Sequence, residues 1–313
     1  MKKTILFFLF FTKVLFAQES NDKIIYLDSL ERETIAENYF YKKVIKDYSL
    51  EKLEYKFFKY YKSGSVYQEG FIDKKESGKL NKEILTYFKN GNKEDSTFFI
   101  DGKPFGKVEK WYENGNKREV GEFTIEEWET GKSYKIVQFW DENNNQLVVD
   151  GNGFYNNSVK KSKDSGAIKN GYKNGVWTGE STLNQVSYVE SYDEGKFISG
   201  VITDKEGNKI SYLIVEQKPE PKKGITHFYK FIGGNFNYTI ESIQLKIKGK
   251  ILIEFVIDAT GKIVEPKIIK GLGYGLDQEA IRVLLKYENW IPGKQRGLNV
   301  RVKYTIPITL QGY

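Results

Sequence analysis

The stretch from Gly249 to Gly261 reads GKILIEFVIDATG, and it decides how the C-terminal part of the chain folds. Ile251, Ile253, Phe255 and Ile257 alternate with Glu254 and Asp258, so one face of an extended segment is apolar and the other polar, the period-two pattern of a half-buried strand. Asp258, Ala259, Thr260 and Gly261 supply the side-chain acceptor and the positive-φ residue that a tight reversal needs, and a second strand is expected from Lys262 to Lys270. Past Gly271, Gly273 and Gly275 the spacing changes. Leu276, Ala280, Val283, Leu284 and Tyr287 recur at three and four residues, with Asp277 and Glu279 in the first turn where the helix dipole favours anions. Trp290, Pro292 and Gly293 stop that helix, and Val300, Val302, Tyr304 and Ile306 alternate with Arg301, Lys303 and Thr305 in a returning strand. The expected order is β-β-α-β.

That order, with G-K-I-L-I-E-F-V-I-D-A-T-G-K-I, L-D-Q-E-A-I, W-I-P-G and V-K-Y-T-I-P-I at workable spacings, resembles the C-terminal domain of TonB, the periplasmic energy transducer of Gram-negative envelopes. The resemblance implies that the last strand lies at a sheet edge and that an extended segment of an outer-membrane receptor pairs with it. Here Asn299, Val300, Arg301, Val302, Lys303, Tyr304 and Thr305 would form that edge, with Pro307 near its end, where proline is tolerated. Strand addition works because an exposed row of backbone N–H and C=O groups accepts a partner strand, and neighbouring side chains choose which one. Arg301 and Lys303 favour an acidic partner, and Val302→Pro is the change expected to close the edge. The chain departs from the family's pattern at Phe231, Ile232, Gly233 and Gly234, where a Tyr-Pro is common, and in its short linker.

Upstream lies a repeat. Aligned on the turn, its units read FKYYKSGSVYQEGF, LTYFKNGNKEDSTF and EKWYENGNKREVGEF, with glycines at Gly64, Gly91 and Gly115, and a degenerate copy, QFWDENNNQLVV, in which Asn143 is expected to replace the glycine. Further turns are expected at Asp101-Gly102, Asn174-Gly175 and Glu194-Gly195, because Asn-Gly and Asp-Gly between aromatic runs mark hairpins. Successive hairpins must stack to bury their rings. The array resembles the MORN-type repeats, Gly102, Lys103 and Gly106 supplying one spacer and Gly171, Asn174, Gly175 and Trp177 part of another; Asn152 to Asn170 reads as a polar insertion.

The 313 residues, 39% hydrophobic, are enough for two folded domains, and 15% aromatics favour strands. The fold class expected is therefore β-rich: an elongated antiparallel hairpin-repeat array plus a small α+β domain. Residues 1–17, MKKTILFFLFFTKVLFA, have the basic start and short apolar core of a signal peptide. Residues 18–57 stay open between strand and helix. Repeats are expected over 58–215, a linker over 216–224 (EQKPEPKKG) reaching on the order of 28 Å if extended, and the TonB C-terminal-like domain over 225–313. The last of these carries 13 basic against 7 acidic residues, a net +6.

There is no cysteine, and the single histidine, His227, stands beside the linker without a supporting constellation, so it reads as a surface residue. A non-enzymatic, exported protein of the periplasm or cell envelope is expected, without cofactor or metal and without nucleic acid as a partner. Its partner would be a segment of an outer-membrane receptor or another periplasmic protein, in connection with TonB-dependent transport. Peptidoglycan is a second expected ligand, and a homodimer through edge strands a further arrangement. The alternatives are a TonB-type energy transducer that keeps residues 1–17 as an anchor, and a glycan-binding repeat protein.

Overall fold

The computed structural model describes residues 21–73, 78–124, 133–159, 162–182, 185–288 and 290–311. The expected signal peptide, residues 1–17, lies outside them. Among the described residues no helix is long and apolar enough to cross a membrane.

Sixteen antiparallel strands, numbered in chain order from β1 (Lys23–Leu27) to β16 (Lys209–Tyr212), each neighbour the next in one sheet. The segment left open by the sequence supplies two of them, β1 and β2 (Tyr41–Ile45), rather than a helix. The chain divides into two compact units, Met1–Leu147 and Val148–Tyr313.

In the first unit the turns set the repeat. Gly64, Gly91 and Gly115 have φ of 94, 90 and 91°, and each N–H bonds the carbonyl three residues back, so a type I turn closes in a left-handed residue. In the degenerate copy that residue is Asn144, φ 67°, not Asn143: the bond from Asn144 N–H to the Asp141 carbonyl places it one position later than the sequence alignment does. Adjacent turns hold one another. Asn90 and Asn92 both donate to the Glu113 carbonyl at 2.9 Å. Asn114 and Asn116 do the same to Glu142 at 3.3 and 3.0 Å. Tyr61 and Tyr112 hydroxyls donate to the carbonyls of Tyr87 and Trp140, one unit on.

The second unit continues the pattern. Asn152 to Asn170 is a further hairpin, β11 (Asn152–Val159) and β12 (Ser162–Lys169), and not an insertion. The turn that follows is Asn170-Gly171, φ 52 and 88°; Asn174-Gly175 instead lies inside β13 (Tyr172–Ser181), where Gly175 (φ 68°) occupies a bulge. Two Asn-Gly pairs four residues apart compete for one reversal, and the bulge takes the second. Asp101-Gly102 and Glu194-Gly195 are turns as expected.

Glycines inside strands let rings lie flat across the backbone. Gly166 pairs with Trp177, Gly179 with Tyr188 and Gly200 with Tyr212, and at each a Cβ would enter the opposing ring. Lying over Gly200, Tyr212 reaches past its neighbouring strand and donates to Glu190 at 2.7 Å. The indole of Trp177 is pinned as well, by its N–H on the Ala167 carbonyl (3.0 Å) and by Lys173 over its face (4.1 Å). Gly166→Ala would set a Cβ 2.5 Å from that ring. It is expected to cost about 1–3 kcal/mol, read as a lower midpoint in urea unfolding; an unchanged midpoint would show that the ring yields freely.

The rest of the second unit comprises β17 (Glu216–Gln217), β18 (Glu220–Pro221), α1 (Gly224–Asn235), α2 (Ile240–Gln244), β19 (Gly249–Ile257), β20 (Ile263–Lys270), α3 (Leu276–Leu285), β21 (Trp290–Ile291), β22 (Gly293–Gln295), β23 (Leu298–Val300) and β24 (Val302–Leu310). The expected β-β-α-β order is therefore present as β19, β20, α3 and β24, with two helices before it. Ile251, Ile253, Phe255 and Ile257 all face one core with Phe228, Ile232, Leu276, Ala280, Val283, Leu284 and the even-numbered residues Ile306, Ile308 and Leu310. Glu279 and Arg282 tie α3 to the end of α1, the carboxylate accepting from Asn237 N–H at 2.7 Å and the guanidinium donating to the Asn235 carbonyl at 2.9 Å.

Residues 216–224, read as a solvated linker, are docked. Glu216 and Gln217 pair with Gln295 and Lys294, and Glu220 and Pro221 with Ile291 and Trp290. Pro219 and Pro221 are buried, and a Cβ on Gly293 would meet Pro219 at 3.2 Å and the Gln217 carbonyl at 3.3 Å. Two prolines that stiffen a tether also suit short edge strands.

Candidate partner-binding edge

Strand order in the C-terminal sheet is β20-β19-β24, so β24 has one neighbour and one open side. The register tells which of its groups face out. Pro307 lies opposite Leu252, and a residue without N–H cannot form a pair that exchanges two backbone bonds. The bonded pairs are accordingly Ile251–Ile308, Ile253–Ile306, Phe255–Tyr304 and Ile257–Val302. Lys303, Thr305 and Thr309 thus turn their N–H and C=O groups to the open side, and Pro307 adds a carbonyl only.

The seven residues expected at the edge do not form one strand. Asn299 and Val300 belong to β23, which pairs with β22, and Arg301 stands at the break. Val302, Lys303, Tyr304 and Thr305 open β24. Val302 and Tyr304 direct their backbone to β19, so Val302→Pro would cut a bond inside the sheet instead of closing its edge. Lys303 and Thr305 are exposed. Lys303 pairs with Glu254 (3.1 Å), Arg301 with Glu265 (2.6 Å), and Asn299 donates to the Ala259 carbonyl at 3.0 Å.

One residue past the end of β22, Arg296 fixes the approach to the edge. With Gly297 it makes a left-handed pair, φ 50 and 81°, which turns β22 into β23 and carries the guanidinium over the Tyr188 ring at 3.9 Å. Its Nε donates at 2.8 Å to Glu190, which is fully buried on β14 (Val186–Asp193). Tyr192 donates to the same carboxylate at 2.9 Å. Desolvation pushes the Glu190 carboxyl up, but the bonds from Tyr212 and Arg296 and the guanidinium charge outweigh it and hold the group below its ordinary value.

Residues 234–310 match the family of the Gram-negative bacterial TonB protein C-terminal domain. The match covers the C-terminal quarter and includes every residue of β19, β20, α3 and β24. A comparison with curated proteins finds no match for the chain. What sequence reasoning missed lies mostly ahead of the TonB-type span, in α1. Phe228, Phe231 and Ile232 stand at helical spacing, but Gly233 and Gly234 interrupt the signal. His227, half-buried on that helix, comes within 3.4 Å of the Tyr287 hydroxyl. Among the described residues no group of three or more His, Asp or Glu side chains is placed to hold a metal ion.

Proposed function

We propose that this is a non-enzymatic cell-envelope protein whose TonB-type domain captures an extended segment of an outer-membrane receptor or another periplasmic protein by adding it as a strand to β24. The open side of β24 carries the proposal: three exposed residues, Lys303, Thr305 and Thr309, turn both their N–H and C=O groups outward, and no strand among the described residues pairs with that side. Fold and family support the same reading, since the matched span is an interaction domain of envelope proteins. The hairpin array would present the domain, and its own ligand, peptidoglycan included, is secondary in this reading.

Photocrosslinking tests it. A benzophenone amino acid at Lys303 or Thr305 in the exported full-length protein is expected to yield an adduct with an envelope protein, whereas the same group at Lys267 of β20 is not. Equal labelling from all three positions, or none from β24, would remove the edge from the mechanism.

A further inference from the structure

Beside the second half of β24 lies an apolar groove of ≈ 330 Å³ whose walls come from both layers of the domain. Tyr229 and Gly233 of α1, with Phe236 and Tyr238 just after it, face Ile308 and Leu310. Tyr229 keeps 39% of its surface exposed, its ring edge-on to that of the core residue Phe228 with centroids 5.4 Å apart. The α1 wall, Tyr229 and Gly233, precedes residues 234–310, so this part of the site belongs to the chain and not to the matched family span.

A strand added to the open side of β24 has two faces. Its alternate side chains point toward the helical layer and into the groove, and those between them point to the outer face. The outer face of β24 and β19 carries Lys303, Lys250 opposite Thr309, and Arg301 at the strand's start; Glu254 and Glu265 pair with Lys303 and Arg301, which leaves Lys250 as the surplus positive charge of a domain with net +6. Pro307 removes one backbone donor midway, where the groove begins. Recognition therefore passes from backbone pairing at Lys303 and Thr305 to burial of a side chain at Ile308 and Leu310.

We infer that the occupant is an extended segment that alternates acidic with apolar residues and sets one bulky apolar side chain in this groove. This rests on the strand-addition reading and specifies its partner. Gly233 suits the test, because a Cβ there meets nothing within 4 Å, so Gly233→Phe places its ring in the groove without changing a residue of β24 or a backbone bond to β19.

The probe is a fluorescein-labelled ten-residue peptide of alternating glutamate and valine with one central phenylalanine, titrated by anisotropy onto the full chain. Gly233→Phe is expected to weaken binding about 10- to 100-fold, as is replacing the peptide's phenylalanine by alanine, the size set by burial of one large side chain. The two changes together should weaken it no further than either alone, and a lysine-for-glutamate peptide should bind less tightly than the original. Tyr229→Ala gives a second variant, with thermal melting to verify that each protein is folded. If Thr305→Pro abolishes binding while Gly233→Phe and the alanine peptide bind as well as the originals, the edge stands and the groove is excluded. If the wild-type chain binds none of the peptides, both the groove and its acidic, apolar occupant are overturned, while edge crosslinking decides strand addition separately.

Discussion

Thr305→Pro is expected to abolish partner capture while leaving the protein folded. Thr305 sits opposite Glu254 in a pair that exchanges no backbone bonds, so its N–H serves the open side and its loss costs the domain nothing in β19 pairing. A partner strand loses that donor, is left with an unpaired carbonyl and meets the pyrrolidine ring at van der Waals distance. Loss of the bond with one group left unsatisfied is worth about 2–3 kcal/mol, or roughly 30- to 150-fold in affinity, before the steric term is added. Val302→Pro should behave differently: it cuts the bond to Ile257 and lowers the melting temperature. Pull-down of the crosslinked partner, with a thermal melt of each variant, separates the two. Capture by Thr305→Pro at wild-type level would sink strand addition on β24.

Arg296→Met is expected to destabilise the second unit by about 3–5 kcal/mol at neutral pH, because it strips the countercharge from a buried carboxylate. The sign of its pH dependence is distinctive. In the wild type Glu190 is held below its ordinary value of 4.5, so its contribution is complete above that pH and is lost as pH falls through the lower, folded-state value. Without Arg296 the desolvation that pushes the carboxyl up prevails, and protonation on acidification then relieves the burial penalty. The gap between wild type and variant should thus narrow from pH 7 to pH 4 in chemical denaturation followed by tryptophan fluorescence. Adding Glu190→Gln to Arg296→Met should recover part of the loss at pH 7. A gap of equal size at both pH values would mean that Glu190 and Arg296 are not coupled.

The C-terminal domain was legible where short-range pattern decides structure. Period-two alternation marks β19, Asp258 to Gly261 mark its turn, and three-and-four spacing marks α3. Asp258 indeed accepts from the N–H groups of Thr260 and Lys262, at 2.8 and 3.0 Å. Long-range pairing was not legible. Glu216 to Pro221 has the polar, proline-bearing composition of a tether, and only its partners some seventy residues later, Trp290 to Gln295, make it strand. The edge residues were taken from the family resemblance, and neither that nor side-chain alternation says toward which neighbour a backbone N–H points. Pro307 supplies that answer only after the register with Leu252 is known. In the repeats the turn glycines Gly64, Gly91 and Gly115 were placed correctly, and the left-handed position was off by one residue at Asn144, or by one Asn-Gly pair at Asn174, where two left-handed candidates stood close together.

The asparagine and tyrosine bonds that join one turn to the next reach only the adjacent unit. Copy number is consequently a free variable in such an array: a 24- or 27-residue unit can be duplicated or lost by recombination without rewriting any distant contact, provided that the cut falls between equivalent turn glycines. Close relatives of the chain are then expected to differ in whole hairpins, and their turn asparagines to be retained wherever a following turn remains to be held.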